Sequence, residues 1–178
     1  MIELFQASGL LPSLLGGDEV ELPDQDGHPR VTLAPAVPVP PLWIGNLAVR
    51  RAARYGDAWF PSLLTPDEVT VGATRLAELA AGFHRPTPAI TVGAAGALGD
   101  SPGLPRSSEM ARNLVQAYGK DPEQAERLPI TGGPAEVADR FAEYQSAGAG
   151  HVVIGLAGDG WRRQCEVLAE ARALGSRP

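Results

Sequence analysis

The residues able to do chemistry in this 178-residue chain are few and small. Four clusters follow short apolar runs: Gly45-Asn46, Pro61-Ser62-Leu63, Gly93 to Asp100, and Ala157 to Gly160. They hold glycines, one amide, one hydroxyl and two acids, with no histidine, cysteine or lysine among them. Turns of this kind let a ligand approach the backbone closely, and amides at helix starts favour phosphate. They provide no nucleophile and no acid–base pair. A protein with such a cradle supplies position and electrostatics and leaves the chemistry to a bound cofactor. No catalytic side chain is assigned.

The other reactive residue types read as structural. His28 falls in a hairpin turn, His84 precedes a strand and His151 begins one. Each is expected to be structural or solvated. Cys165 lies on the apolar stripe of the last helix and is expected to be an inert core residue. A single cysteine excludes an internal disulfide or a cysteine metal cluster, and no metal site is predicted. Arg50, Arg51 and Arg54 make either an anion patch or a solvated, salt-bridged helix face, and the second is the expectation. The glycines at 93, 96 and 99 lack the spacing of a dinucleotide fingerprint. Thr131-Gly132-Gly133 has no phosphate-loop lysine and is expected to cap the next helix. Gly158-Asp159-Gly160 is expected to be strand-to-helix punctuation with Asp159 as the cap.

The elements that position these clusters are organised around Pro40–Ser62, PPLWIGNLAVRRAARYGDAWFPS. Leu42-Trp43-Ile44 is a short apolar run behind prolines that cannot continue a helix. Gly45 and Asn46 tolerate positive φ and make a turn. Leu47 to Tyr55 reads as a helix with Val49, Ala52 and Ala53 on one side, ended by Gly56. Ala58-Trp59-Phe60 is a second buried strand, stopped by Pro61. This is a minimal βαβ unit and implies a parallel sheet. Gly45 and Asn46 open its helix, so their amides could hold a cofactor phosphate or ribityl chain; a plain turn is the alternative.

Upstream, Met1–Leu11 reads as a short helix broken around Gly9 and Pro12. Glu19–Leu22 and Arg30–Leu33 form a hairpin across Asp26-Gly27, and 34–41 is a stiff proline-rich connector. Downstream, Thr65-Pro66-Asp67-Glu68 starts a helix that runs to Phe83, with a capping threonine, proline in the first turn and two acids at the positive dipole end. Its apolar stripe is Val69, Leu76, Leu79, Ala80 and Phe83. Ala89–Ala95 is a third strand, Gly96–Pro105 a loop, Ser107–Tyr118 a helix, and 121–123 a helical turn. Ile130–Pro134 reads as a turn and Pro134–Ala147 as a helix on Val137, Phe141 and Tyr144. His151–Leu156 is a fourth strand, and Trp161–Leu174 a helix turning Trp161, Cys165 and Leu168 inward. The reading is α/β, a parallel sheet of four βα units with an N-terminal hairpin. It makes one domain over 1–178, a lead of 1–41 and a sheet region of 42–178.

A proline-rich lead, an apolar strand ending in glycine and then RRAARYGDAW resembles the signature of the bacterial luciferase-like monooxygenases, which use flavin or a deazaflavin coenzyme. GGPAEVADRFAEYQSAGAGHVVIG is similar to a later part of that pattern. The chain keeps Gly45 and Gly56, one of each of the family's two glycine pairs. The resemblance implies the C-terminal half of a (β/α)8 barrel, strands five to eight. A whole barrel needs about 250 residues. It also implies FMN or the deazaflavin coenzyme F-420 as cofactor, with a small organic substrate. Ser62 stands where deazaflavin-using relatives carry a hydroxyl that contacts the coenzyme phosphate. The implied activity is oxygen incorporation or hydride transfer, with little monooxygenase turnover by this chain alone. The alternatives are a non-catalytic flavin-binding or partner-binding half-barrel, and a truncated family member. A half-barrel leaves two open edges, of which the hairpin covers one at most, so self-association or a partner chain is expected.

The formal charge of −6 and the lack of a basic stripe argue against nucleic acid as partner. No apolar run approaches a membrane span. The N-terminal MIELFQASGLL lacks the basic start of a secretory signal, so the expected location is the cytoplasm.

Overall fold

The computed structural model describes residues 2–22 and 27–175. The elements are α1 (Ile2–Leu15), β1 (Val20–Glu21), β2 (Arg30–Val31), β3 (Trp43–Gly45), α2 (Val49–Tyr55), β4 (Ala58–Phe60) and α3 (Pro66–Gly82). They continue as β5 (Ala89–Leu98), α4 (Ser107–Tyr118), α5 (Pro122–Arg127), β6 (Ile130–Gly132), α6 (Pro134–Ser146), β7 (His151–Leu156) and α7 (Trp161–Gly175).

β1 and β2 form the expected hairpin, with Val20 opposite Val31 and Glu21 opposite Arg30. Its predicted turn at Asp26-Gly27 lies partly outside the described residues. The first helix does not break at Gly9 or Pro12 but continues to Leu15. Proline removes one donor from the ladder, which resumes where Gly16 N donates to Pro12 O.

β3, β4, β5, β6 and β7 form one parallel sheet. Gly93 donates to Pro61 O and accepts from Leu63 N, and Gly99 N donates to Gly132 O. The odd residues of β5 therefore bond β4 and, further along, β6. Its even residues turn to β7, since Gly96 O accepts from Ala157 N. The strands thus run β3-β4-β5-β7, with β6 lying beyond the end of β4. The turn expected at Ile130–Pro134 is instead the strand β6. β5 runs three residues past its expected end at Ala95, and Gly96–Leu98 provide the edge on which 130–132 pair.

One face of the sheet carries Ile44, Trp59, Ile90, Val92, Ala94, Val152, Ile154 and Leu156, which pack with Leu76, Val137, Tyr144 and Val167 of the covering helices. A smaller cluster of Ala111, Leu114, Ala125 and Leu128 joins α4 to α5. The other face is concave. Trp43 on β3 and His151 on β7 have ring centroids 6.4 Å apart, although two strands separate them. Side chains upright on a flat sheet would stand about 14 Å apart at that spacing. The curvature is that of a barrel wall, as the fold reading expected. Among the described residues β1 and β2 pair only with each other, so neither adds a strand to an outer edge of the sheet.

α7 is rotated from its expected phase. Its buried residues are Gln164, Val167 and Ala171. Trp161 is 62% exposed and Cys165 is exposed, which corrects the inward reading of both. The physical reason is Gln164. Its Oε1 accepts from Leu98 N at 2.9 Å, and its Nε2 donates to Ala157 O and Asp159 O. These bonds satisfy the amide fully inside the core, where hydropathy alone would not place it.

Candidate functional site on the concave face

Strand alternation sorts the concave face into two layers. Trp43 and His151, at the starts of β3 and β7, bring their rings within 6.4 Å of each other, and Trp43 lies 5.8 Å from Phe60, which ends β4 in register with Gly45. Toward the C-terminal ends, the same alternation brings Gly45, Gly93, Ala95 and Gly155 to the face. A Cβ built on Gly45 would meet nothing nearer than Phe60 O at 3.8 Å, and one on Gly155 only Ala94 O at 3.8 Å. These two glycines therefore border open space. Gly93 differs: Ser62 Oγ lies 2.6 Å from where its Cβ would be.

Ser62 is held by what surrounds it. It bridges to Gly93 across the sheet. The next residue, Leu63, has φ 57, a left-handed conformation costly for a branched side chain. Leu63 N donates to Gly93 O, and Lys120 Nζ donates to Leu63 O at 2.7 Å. The Tyr144 hydroxyl donates to Leu64 O at 2.9 Å, and burial raises its pKa above the ordinary tyrosine value. Three separate elements thus fix a three-residue loop. Lys120 and Tyr144 were missed in the sequence. Lys120 is the only lysine, which was a usable signal, whereas Tyr144 was read only as part of a stripe.

Of the predicted cofactor contacts, Gly45 and Ser62 share the concave face at the C-terminal ends of neighbouring strands. Asn46 has φ 58, and its backbone serves the sheet. Its N–H donates to Phe60 O, and its O accepts from Trp59 Nε1 at 2.8 Å. Gly45 turns its own backbone groups to the outer edge of β3. The structure thus directs neither amide to the mouth of the sheet, and only the exposed Asn46 side chain is left to reach a ligand.

The remaining candidates resolve individually. His28 has φ 46 and lies 3.4 Å from Glu21. His84 follows α3, and His151 lies beside Trp43 at the starts of the strands, the opposite end from the glycines. Arg50 and Arg54 lie over the Phe83 ring at 5.6 Å, so a wholly solvated, salt-bridged face is corrected to one partly stacked on aromatics. Gln164 N donates to Gly160 O, which puts Gly160 rather than Asp159 at the start of α7. Gly133, without a side-chain cap, begins α6.

A second concavity of about 460 Å³ lies between α2 and α3, lined mainly by Leu47, Trp59, Leu64 and Val71. It is on the far side of the sheet and offers no reactive group beyond paired or capping charges. Among the described residues no cluster of three or more histidine, cysteine, aspartate or glutamate side chains could hold a metal, and no helix is long and apolar enough to cross a membrane.

No protein-family model matches the chain, and no curated protein matches it in sequence. Solved structures do match in fold. An F420-dependent secondary alcohol dehydrogenase in complex with an F420–acetone adduct superposes with TM-score 0.74 at 12% identity, over 97% of this chain and 61% of that one. The coenzyme F420-dependent tetrahydromethanopterin reductase of Methanopyrus kandleri gives 0.64 at 14% identity, over 93% and 60%. The FMN-bound oxygenating constituent of 3,6-diketocamphane monooxygenase from Pseudomonas putida gives 0.64 at 14%, over 96% and 62%. This chain therefore spans about three-fifths of each. The likeness is one of fold, a partial (β/α)8 barrel, and it agrees with the luciferase-like resemblance carried by Pro40–Ser62.

Proposed function

We propose that residues 1–178 form one domain, a lead of 1–41 and a half-barrel of 42–178. In this reading it is the cofactor-holding part of a luciferase-like, flavin- or deazaflavin-dependent oxidoreductase of the cytoplasm, acting on a small organic substrate. The observation that carries the reading is the floor of Gly45 and Gly155 bordering open space, with Ser62 beside it, at the carboxyl ends of parallel strands. Ligands in parallel α/β folds bind at those ends.

The residues present fit a flat, phosphate-bearing cofactor. Glycines without Cβ atoms let a ring lie against the backbone. Phe60, Trp43 and His151 give the same face an aromatic surface. The Ser62 hydroxyl, set by Lys120 and Tyr144 through its neighbours, can donate to a phosphate oxygen. Bound there, FMN or the deazaflavin coenzyme would supply the electron or hydride transfer. The chain's own part is to bind and orient. A single wall of this kind is consistent with little turnover by the isolated chain.

Titrating the purified protein separately with FMN and with the deazaflavin coenzyme, followed by fluorescence, tests the reading. One of the two should bind saturably. Gly155→Leu, which fills open space without a clash, should weaken binding at least about tenfold, a loss of about 1.4 kcal/mol. Failure of both cofactors to bind at millimolar concentration, or an unchanged affinity in Gly155→Leu, overturns it. The open sheet edges favour a second reading, a non-catalytic half-barrel whose role is to bind a partner; oxidoreductase turnover with reduced cofactor would exclude that.

A further inference from the structure

We infer that Gly93 is a positioning residue for the Ser62 hydroxyl, and that the Gly93–Ser62 pair makes the concave face selective for a cofactor that carries a phosphate. The selectivity rests on the cofactor reading above; the seating of the hydroxyl does not.

Gly93 is unlike the other two glycines of the floor. Cβ atoms on Gly45 and Gly155 would meet ordinary contacts at 3.8 Å. One on Gly93 would stand 2.6 Å from Ser62 Oγ, 3.3 Å from Ser62 Cβ and 3.3 Å from Phe60 Cζ. Gly93 is not among the glycines with positive φ, so conformational freedom is not what it supplies. Glycine also weakens a strand interior, and Gly93 lies in the middle of β5. What it supplies is room. Ser62 Oγ occupies the place on the concave face that a side chain of β5 would otherwise fill.

The surroundings determine what a methyl would displace. Gly93 N donates to Pro61 O at 2.8 Å, and Gly93 O accepts from Leu63 N at 2.9 Å. Ser62 is therefore held to β5 through both of its neighbours. Lys120 and Tyr144 hold the next two carbonyls, those of Leu63 and Leu64. The backbone of Ser62 cannot withdraw without breaking these bonds, whereas rotation about its Cα–Cβ bond breaks none of them. The two contacts at 3.3 Å ask for a shift of only a few tenths of an ångström. A serine side chain turns between staggered rotamers, so Gly93→Ala is met by turning the hydroxyl out of its seat while the fold is kept. Position is lost where stability is not.

A hydroxyl in that seat has one hydrogen bond to donate. A bond to a phosphate oxygen is charge-assisted and stronger than one to a neutral group. The pair thus distinguishes FMN from riboflavin, which presents the same ring and ribityl chain without the charge.

The test measures the affinity of the purified protein for FMN and for riboflavin, with the deazaflavin coenzyme and its phosphate-free form as a second pair. Crystals of Gly93→Ala report the Ser62 rotamer independently of any cofactor. The unsubstituted protein should bind the phosphate-bearing member of one pair at least about tenfold more tightly. Gly93→Ala and Ser62→Ala should each remove most of that preference and leave the affinity for the phosphate-free member nearly unchanged. The double variant should be no worse than either single one, because both remove the same bond. Gly155→Ala, which adds a methyl in open space, should move both affinities together. In the Gly93→Ala crystal the hydroxyl should have left its seat, with the backbone bonds to Pro61 and Leu63 intact. A preference unchanged in Gly93→Ala, an equal loss for both members of the pair, additive losses in the double variant, or a Ser62 rotamer that has not moved overturns the inference. So does a preference that Gly155→Ala removes as well. Each of these leaves the cofactor reading standing, since the unsubstituted protein still binds. Failure of that protein to bind either phosphate-bearing cofactor overturns the cofactor reading and the selectivity with it, and the crystal then decides the seating by itself.

Discussion

Gly72 shows how closely single residues are fitted here. It sits in α3 over the indole of Trp59, and a Cβ there would lie 2.1 Å from Trp59 Cη2. The ring is 1% exposed, and its N–H is held by Asn46 O, so it cannot swing aside. Replacing a helical glycine by alanine ordinarily gains up to about 1 kcal/mol, but overpacking a filled core costs about 1–3 kcal/mol. The clash should win. Gly72→Ala is expected to lower the urea midpoint by about 1–2 kcal/mol of stability. Gly82→Ala, in the same helix with nothing within 4 Å, should be neutral or stabilising by up to about 1 kcal/mol. Equal effects at the two sites would show that propensity, not Trp59, sets the outcome. At this scale the sequence was legible where chemistry is local: Gly45 and Ser62 are on the expected face. It was not legible where a distant group decides. Asn46 has its amide taken by Phe60, and Gln164 is buried because Leu98, sixty-six positions away, needs an acceptor.

Among the elements, α3 is the one whose start can be derived completely. Thr65 Oγ1 accepts from Glu68 N at 3.4 Å, and Glu68 Oε2 accepts from Thr65 N at 2.7 Å. Pro66 occupies the first turn and needs no donor there. Glu68 also accepts from Gln124 of α5, so the cap joins two helices. Thr65→Ala should destabilise the fold by about 1 kcal/mol, and Thr65→Ser should restore most of it because the hydroxyl returns; thermal unfolding would show both. If serine fails to rescue, the threonine methyl, buried with the rest of a residue only 2% exposed, carries the effect instead. The elements read well from sequence are those announced by such local signals: α3, α6, β7 and the β3–α2–β4 unit. β6 was missed because three residues carry no periodicity, and only the extension of β5 makes them a strand. The phase of α7 was missed because its inward residue is polar.

At the scale of the whole molecule, the helices differ in how firmly they join the sheet. α3, α6 and α7 share one core cluster with β3, β4, β5 and β7. α4 and α5 bury Ala111, Leu114, Ala125 and Leu128 mostly against each other. Among the described residues, the side-chain bonds that tie this pair to the rest are few. Lys120 bonds Leu63 O, Arg127 pairs with Asp67, and Gln124 bonds Glu68; Arg140 of α6 also donates to Arg127 O. The ion pair is exposed on both sides, and pairs of that kind contribute about 0–1 kcal/mol. A unit held by a small cluster and a few surface bonds opens at a lower free energy than the core. In native-state hydrogen exchange, the amides of α4 and α5 should therefore exchange through a shared partial opening, ahead of those of α6 and central β5. Lys120→Met should accelerate that opening by about ten- to a hundredfold, the worth of roughly one hydrogen bond to a charged donor, about 1.5–3 kcal/mol. It should leave exchange in α6 nearly unchanged. Because the same lysine holds the loop of Ser62, the variant should also weaken cofactor binding without loss of global stability. If α4, α5 and α6 exchange together in both proteins, the helical pair is part of the global cooperative unit, and the loop of Ser62 is then as rigid as the sheet that carries it.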